Sequence, residues 1–210
     1  MLSRPAPRFR ASWTAVRLLI GALGLIVSLA ARAQSPGETR EYQKKAEFIT
    51  SFTRFIDWPA RKFPQSDSPF VIGVYGADNI SMLLQEAIQE RQIKGRPVII
   101  KRLLNKQELR ACHVLFISRS ERDRLGPILG EVRRENVLTV SECDNFLSKG
   151  GIINFISDGG LVRFQISTDA AAREKLSVSS KLLQLAAPTV QGISVLPAGG
   201  MKLSDAPRLQ

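Results

Sequence analysis

Cys112 and His113 are the residues that first suggest chemistry. The chain's one histidine directly follows one of its two cysteines, in the stretch "ACHVLFISRSE" over residues 111–121. A thiol beside an imidazole is what a cysteine nucleophile or a metal site needs. The setting argues against both. "HVLFIS" reads as a β-strand, and successive side chains of a strand point to opposite faces, so the two groups diverge. They also stand at the beginning of that strand, roughly 16 Å from its end. Open parallel sheets gather ligands and catalysis at the carboxyl ends of their strands. His113 is therefore read as structural.

The second cysteine, Cys143, follows the next strand, so the two thiols are expected at opposite ends of the sheet. A bridge needs Cα atoms within about 7 Å. Buried free thiols are the reading, with an intermolecular bridge through Cys143 as the alternative. One His and two distant Cys make no recognised zinc set. "GVYGADN" falls short of G-x-G-x-x-G, and there is no P-loop. Glu142 and Asp144 read as a solvated turn rather than a metal site. With no general acid/base pair, the chain is not expected to be an enzyme or to carry a cofactor. The crevice to expect lies where the first and third strands diverge. There Gly76, Asp78, Asn79, Ser118, Arg119 and Ser120 could meet a ligand or partner, or serve only as caps.

The elements that place these residues alternate. Residues 42–56 carry apolar side chains at helical spacing (Tyr42, Ala46, Ile49, Phe52, Ile56), widened by Phe48 and Phe55. Trp58-Pro59 ends that helix. "FVIGVYG" reads as a strand buried on both faces. "ADNISMLLQEAIQER" follows as helix, then "RPVIIKRL", "HVLFIS" and "NVLTVS" as strands. Ser120 is expected to open an arginine-bearing helix, "SRSERDRLGPILGEVRREN". This alternation implies an α/β fold, Rossmann-like: a mostly parallel open sheet with helices on both faces. "GIINFISDGGLVRFQIS" then reads as a C-terminal antiparallel hairpin at the sheet's edge, with Asp158-Gly159-Gly160 as its turn. Val162, Phe164 and Ile166 alternate with Arg163, Gln165 and Ser167, so one face of the hairpin should be wetter. "TDAAAREKLSVSSKLLQLA" is expected to close the domain as helix.

The 30 Lys and Arg outnumber 19 Asp and Glu, a formal +11 that would suit a polyanion. Much of that excess lies at the start. Arg4, Arg8, Arg10 and Arg17 precede the apolar run "LLIGALGLIVSLA" and then "ARA". That order is a secretory signal, with cleavage expected after Ala33 and a retained anchor as the alternative. The run is shorter than the roughly 20 residues that span a bilayer. Removing residues 1–33 takes away five arginines and no acid, leaving +6. The remaining basic run, Arg119, Arg122, Arg124, Arg133 and Arg134, is interleaved with Glu121, Asp123, Glu131 and Glu135, as on a solvated, salt-bridged face. Without interleaved aromatics it does not call for a nucleic-acid groove. The expected organisation is a signal over residues 1–33, a flexible lead over 34–40, one α/β domain over 41–187 and a mobile tail over 188–210.

From Lys45 to Ala186 the chain resembles the YfiR family of small secreted bacterial proteins. The resemblance rests on the order of "KKAEFITSFTRFIDWP", "FVIGVYG", "GRPVIIKRL", "CHVLFISRSE", "VLTVSE", "GGIINFISDGGLVRFQIS" and "SSKLLQLA". It implies a periplasmic regulator that binds and represses the periplasmic domain of an inner-membrane sensor, a diguanylate cyclase or a histidine kinase. It further implies a homodimer and sequestration by an outer-membrane lipoprotein. Phe48, Phe52 and Phe55 of the first helix, with Lys181 and Leu182 of the last, are the candidate contact residues, with core packing as the alternative for both segments. The chain departs from the family at Gln165 and Ser167, where members often carry an acid and an Asn. The other reading is a small-ligand binding module acting as a sensor, built on the strand-end crevice.

Overall fold

The computed structural model describes residues 36–77, 79–88, 92–158 and 160–188. The chain divides into two compact units, Met1–Thr39 and Arg40–Gln210, and the second carries the fold. The expected signal, most of the expected tail and Asp78 lie outside the described residues.

Helix α1 is Pro36–Phe55. It begins six residues before the expected start, inside the stretch read as a flexible lead. Ser35-Pro36-Gly37-Glu38 carries the S-x-x-E order of a helix start, with proline at the first helical position. Strand β1 (Ile56–Asp57) follows directly. β2 is Phe70–Tyr75, α2 Ile80–Ala87, β3 Gln92–Ile93 and β4 Arg96–Leu103. β5 is Val114–Ile117, α3 Leu125–Glu131 and β6 Leu138–Ser141. β7 (Ile153–Asp158) and β8 (Leu161–Ile166) form a hairpin, followed by α4 (Thr168–Arg173), β9 (Ser177–Val178) and α5 (Ser180–Leu185).

Seven strands form one sheet in the order β3-β4-β2-β5-β6-β7-β8. The five from β4 to β7 run parallel. β8 closes one edge antiparallel, pairing Ile153 with Ile166 through to Asp158 with Leu161. β3 adds a short antiparallel strand at the other edge through the turn Lys94-Gly95. The order reverses between β2 and β5, as expected of first and third strands that diverge.

Both faces are covered. On one, Ile49 and Phe52 of α1, Ile80 and Leu84 of α2 and Ala170 and Ala171 of α4 pack on Ile72, Val74, Val114, Phe116 and Val140. Phe48, Phe52, Phe155 and Phe164 stack there with ring centres 4.9–6.2 Å apart. On the other, Leu125, Ile128 and Leu129 of α3 pack with Phe146 on Leu115 and Ile117. Cys112 joins this second core through Gly73, where a Cβ would lie 2.5 Å from its sulfur.

Two expected helices are interrupted. The arginine-bearing stretch is a 3-10 segment, Arg119–Arg124, followed by α3. Its cap is Ser118, whose side chain accepts from the Ser120 N–H, and not Ser120 itself. Pro127 has no N–H to donate to Asp123, so a helix run through it would lose a rung. The closing stretch is α4 and α5 with β9 between them. β9 pairs with β1, Val178 opposite Ile56. Ser167 and Ser179 each cap their own helix, so hydroxyls and a β-branched valine break what pattern alone reads as continuous.

Candidate functional site

The carboxyl edge of the sheet brings three of the expected crevice residues together. Gly76 follows β2 with φ +108°, and a Cβ there would stand 2.7 Å from both Ser118 Cβ and Ser120 Oγ. The Ala77 N–H donates to Ser120 Oγ at 3.0 Å, and Ser118 Oγ donates to the Ala77 carbonyl at 3.3 Å. Gly76, Ser118 and Ser120 thus interlock, spending their polar groups on one another. Asn79 and Arg119 are exposed beside them.

Beside this knot sits a buried ion pair. Lys45 of α1 and Glu142, just past β6, have side chains only 3% exposed and bond each other. Tyr42 Oη donates to the second Glu142 oxygen at 2.6 Å, Glu41 also bonds Lys45, and Arg119 approaches Glu142 at 3.6 Å. Glu142 is therefore not in the solvated turn expected of it. Its carboxylate moors the amino-terminal half of α1 to the sheet. Among the described residues, no group of three or more His, Cys, Asp or Glu could hold a metal ion.

The amino edge is different. His113 and Cys112 do diverge onto opposite faces. The His113 ring stacks between Phe63 and Phe70, 4.5 and 4.7 Å away. Its Nδ1 accepts the Val71 N–H at 3.0 Å, so Nε2 carries the proton. That Nε2–H is buried and makes no well-aligned hydrogen bond, although the Lys62 carbonyl lies near enough to favour its proton. Burial, reinforced by the positive charges of Lys62 and Arg96, pushes the imidazole down to about 4, so it is neutral. Burial pushes the Cys112 thiol up to about 11 and the Cys143 thiol upward as well. Both are unbridged, buried and unreactive.

His113 lines a cleft of about 930 Å³ at this edge. Arg61, Lys62, Arg110, Arg134, Arg173 and Lys175 line it too, against one acid, Glu135. Arg110 is paired with Glu131. Lys62, its pKa lowered by burial, bonds the carbonyls of Arg110 and Glu135 at 2.8 Å. No acidic side chain among the described residues meets the side chain of Arg134, Arg173 or Lys175.

One loop shapes the cleft wall. Arg134 and Asn136 both adopt left-handed backbone, φ +64° and +57°. The buried Glu174 carboxylate accepts their N–H groups at 2.8 and 3.0 Å, and its carbonyl accepts Asn136 Nδ2 at 2.7 Å. Asn136 Oδ1 in turn accepts Arg61 Nε at 3.0 Å. A run of bonds from Glu174 through Asn136 to Arg61 thus sets two of the arginines in place. None of this is visible as a motif, because the lining residues are scattered from position 61 to 175.

The expected contact residues separate. Phe52 is 0% and Leu182 2% exposed, so both are core and unavailable to a partner. Phe48 and Phe55 are half-buried, and Lys181 is exposed. The apolar side chains that α5 does present are Leu183 and Leu185, 38% and 68% exposed. The arginine-bearing segment behaves as a salt-bridged surface: Arg124 bonds Glu121 at 2.7 Å and Arg122 approaches Asp123 at 3.6 Å.

The structure is thus an α/β domain with buried thiols, a buried histidine and a basic cleft at its amino edge. The chain belongs to the YfiR/HmsC-like family, whose model matches residues 42–187. That family supports a periplasmic regulatory role in general. Among the described residues no helix is long and apolar enough to cross a membrane. A solved conserved domain protein from Vibrio cholerae is similar at 11% identity and TM-score 0.45, covering 69% of this chain and 58% of that one. No curated protein matches.

Proposed function

We propose that the chain is a periplasmic regulator that binds and represses the periplasmic domain of a membrane-anchored signalling protein, a diguanylate cyclase or, as the other sensor class, a histidine kinase. It reaches the periplasm through a signal cut after Ala33. A homodimeric state and sequestration by an outer-membrane lipoprotein belong to the same reading. The observation that carries it is on α5. Of six large apolar side chains exposed among the described residues, two, Leu183 and Leu185, fall on this one short helix beside exposed Lys181. The Ser179 N–H donates to the Phe55 carbonyl at 2.9 Å, which ties this helix to the end of α1 and its half-buried Phe48 and Phe55. Exposed apolar groups beside a cation suit a partner surface.

The test is crosslinking and pull-down of the mature chain in its own host. Wild type should capture an inner-membrane protein with a periplasmic domain. The Leu183→Glu/Leu185→Glu variant should lose that capture with its thermal midpoint unchanged. Recovery of no inner-membrane protein would sink the proposal. A second reading, a small-ligand sensor, is favoured by the amino-edge cleft. The carboxyl-edge residues Gly76, Asp78, Asn79, Ser118, Arg119 and Ser120 stay with it as a lesser candidate, with Asn79, Arg119 and Ser120 exposed.

A further inference from the structure

We propose that the amino-edge cleft is a binding site for a small polyanion, a molecule carrying two or more carboxylate or phosphate groups. The inference rests on the sensor reading of the chain and does not depend on which membrane protein it regulates.

The walls concentrate charge of one sign. Six basic side chains face the same space with one acid, and Arg134, Arg173 and Lys175 have no acidic counterpart among the described residues. Like charges gathered around a concave, partly apolar surface raise the local potential and draw in counter-ions. Arginines favour flat, two-oxygen groups, because the guanidinium fork matches carboxylate and phosphate geometry. Two such groups on one ligand can be met at once by Arg134 and Arg173, and a third by Arg61.

The site is built as well as charged. Arg61 and the Arg134 backbone are held through Asn136 and Glu174, in a loop kept left-handed at two residues that are not glycine. His113 lies beneath, 4% exposed, and closes the floor of the cleft. Pro64, Pro69 and Val71 supply the apolar part of the wall. A volume of about 930 Å³ falls within the range of small-molecule sites. It is a bounded cleft without exposed aromatic platforms, which separates it from a single-strand nucleic-acid groove.

The test is isothermal titration and thermal shift on the mature chain with citrate and with inorganic phosphate, ionic strength held constant with sodium chloride. At least one should bind saturably and raise the thermal midpoint. Citrate alone identifies a polycarboxylate site, phosphate alone a phosphate-ester site, and both together the shared anion chemistry. Arg134→Gln/Arg173→Gln should weaken the dissociation constant about tenfold or more, since each removes a charge-assisted contact. Arg122→Gln, on the salt-bridged surface, should leave it unchanged. Two results overturn the proposal: no saturable binding of either anion to wild type, or an equal loss in Arg122→Gln, which would mark a general ionic effect. If the pull-down succeeds while these titrations fail, the regulator reading stands and the anion site falls.

Discussion

The two edges of the sheet use polar groups in opposite ways. At the carboxyl edge, Ser118, Ser120 and the backbone beside Gly76 bond one another, and Glu142 is met by Lys45, Tyr42 and Arg119. At the amino edge, six cations line a cleft with one acid, and Arg134, Arg173 and Lys175 meet no acidic side chain among the described residues. A satisfied polar cluster rigidifies, whereas an uncompensated one is stabilised by whatever supplies the missing charge. The contrast therefore separates architecture from binding more clearly than residue type does.

The largest effect should come from breaking the satisfied edge. Glu142→Ala leaves buried Lys45 with only Glu41, whose side chain is 37% exposed, and strips the acceptor from Tyr42, which together should cost about 3 kcal/mol in urea unfolding. Replacing both partners, Lys45→Met with Glu142→Leu, should recover most of the loss, because the uncompensated charge goes with them. If Glu142→Ala costs less than about 1 kcal/mol, the carboxyl edge is not held by this pair and the contrast weakens.

Glu174 comes next. Glu174→Ala strips acceptors from two N–H groups in left-handed backbone, each worth about 1–3 kcal/mol when buried, with relaxation of the loop returning part of it. An expected loss of about 2–3 kcal/mol should be accompanied by faster amide exchange at Arg134 and Asn136. Unchanged exchange there would mean that the loop holds its shape without the clasp.

Gly76→Ala should cost about 1–3 kcal/mol, since alanine must take φ +108° and push against two serines. The same substitution at Gly95, φ +75° with open space around it, carries only the backbone part. A larger loss at Gly76 than at Gly95, measured by thermal unfolding, separates the interlock from conformational strain alone.

These expectations also mark what could be read from sequence. Asp158-Gly159-Gly160 announces its hairpin by composition, whereas the divergence of Cys112 and His113 has a cause other than the expected strand period: β5 begins at Val114, and Cys112 packs with Leu115 and Ile117 while His113 stacks on Phe70 of the other core. The parallel core is written in nearly unbroken apolar runs such as "FVIGVY" and "VLFI". The interruption of the last helix was hidden, because Val178 pairs with Ile56 some 120 positions away. The cleft was hidden for the same reason: Arg61, Arg134 and Arg173 each look like solvated surface until the fold collects them. The tendency of parallel sheets to bind at their carboxyl ends pointed to Ser118 and Ser120. In this chain those hydroxyls bond each other and the Ala77 backbone.

The smallest expected effect returns to His113 and tests whether the floor of the amino edge is dry. Its folded-state pKa is about 4, against an ordinary 6.5, because burial and the nearby Lys62 and Arg96 disfavour the imidazolium. Between those values the unfolded chain binds a proton that the folded chain does not, so stability falls as pH drops from 6.5 toward 4. The contribution is complete above 6.5 and gone below 4, a span of about 3 kcal/mol, of which about 1–2 kcal/mol falls in the measurable range from pH 6.5 to about 5. Carboxylates add their own acid dependence, so the reading is a difference between proteins. His113→Asn keeps an acceptor for the Val71 N–H and removes the titration. The wild-type curve should fall more steeply than the variant's across that window, with the two parallel above pH 7. Parallel curves throughout would mean that water reaches the ring, leaving the arginines alone to define the amino edge.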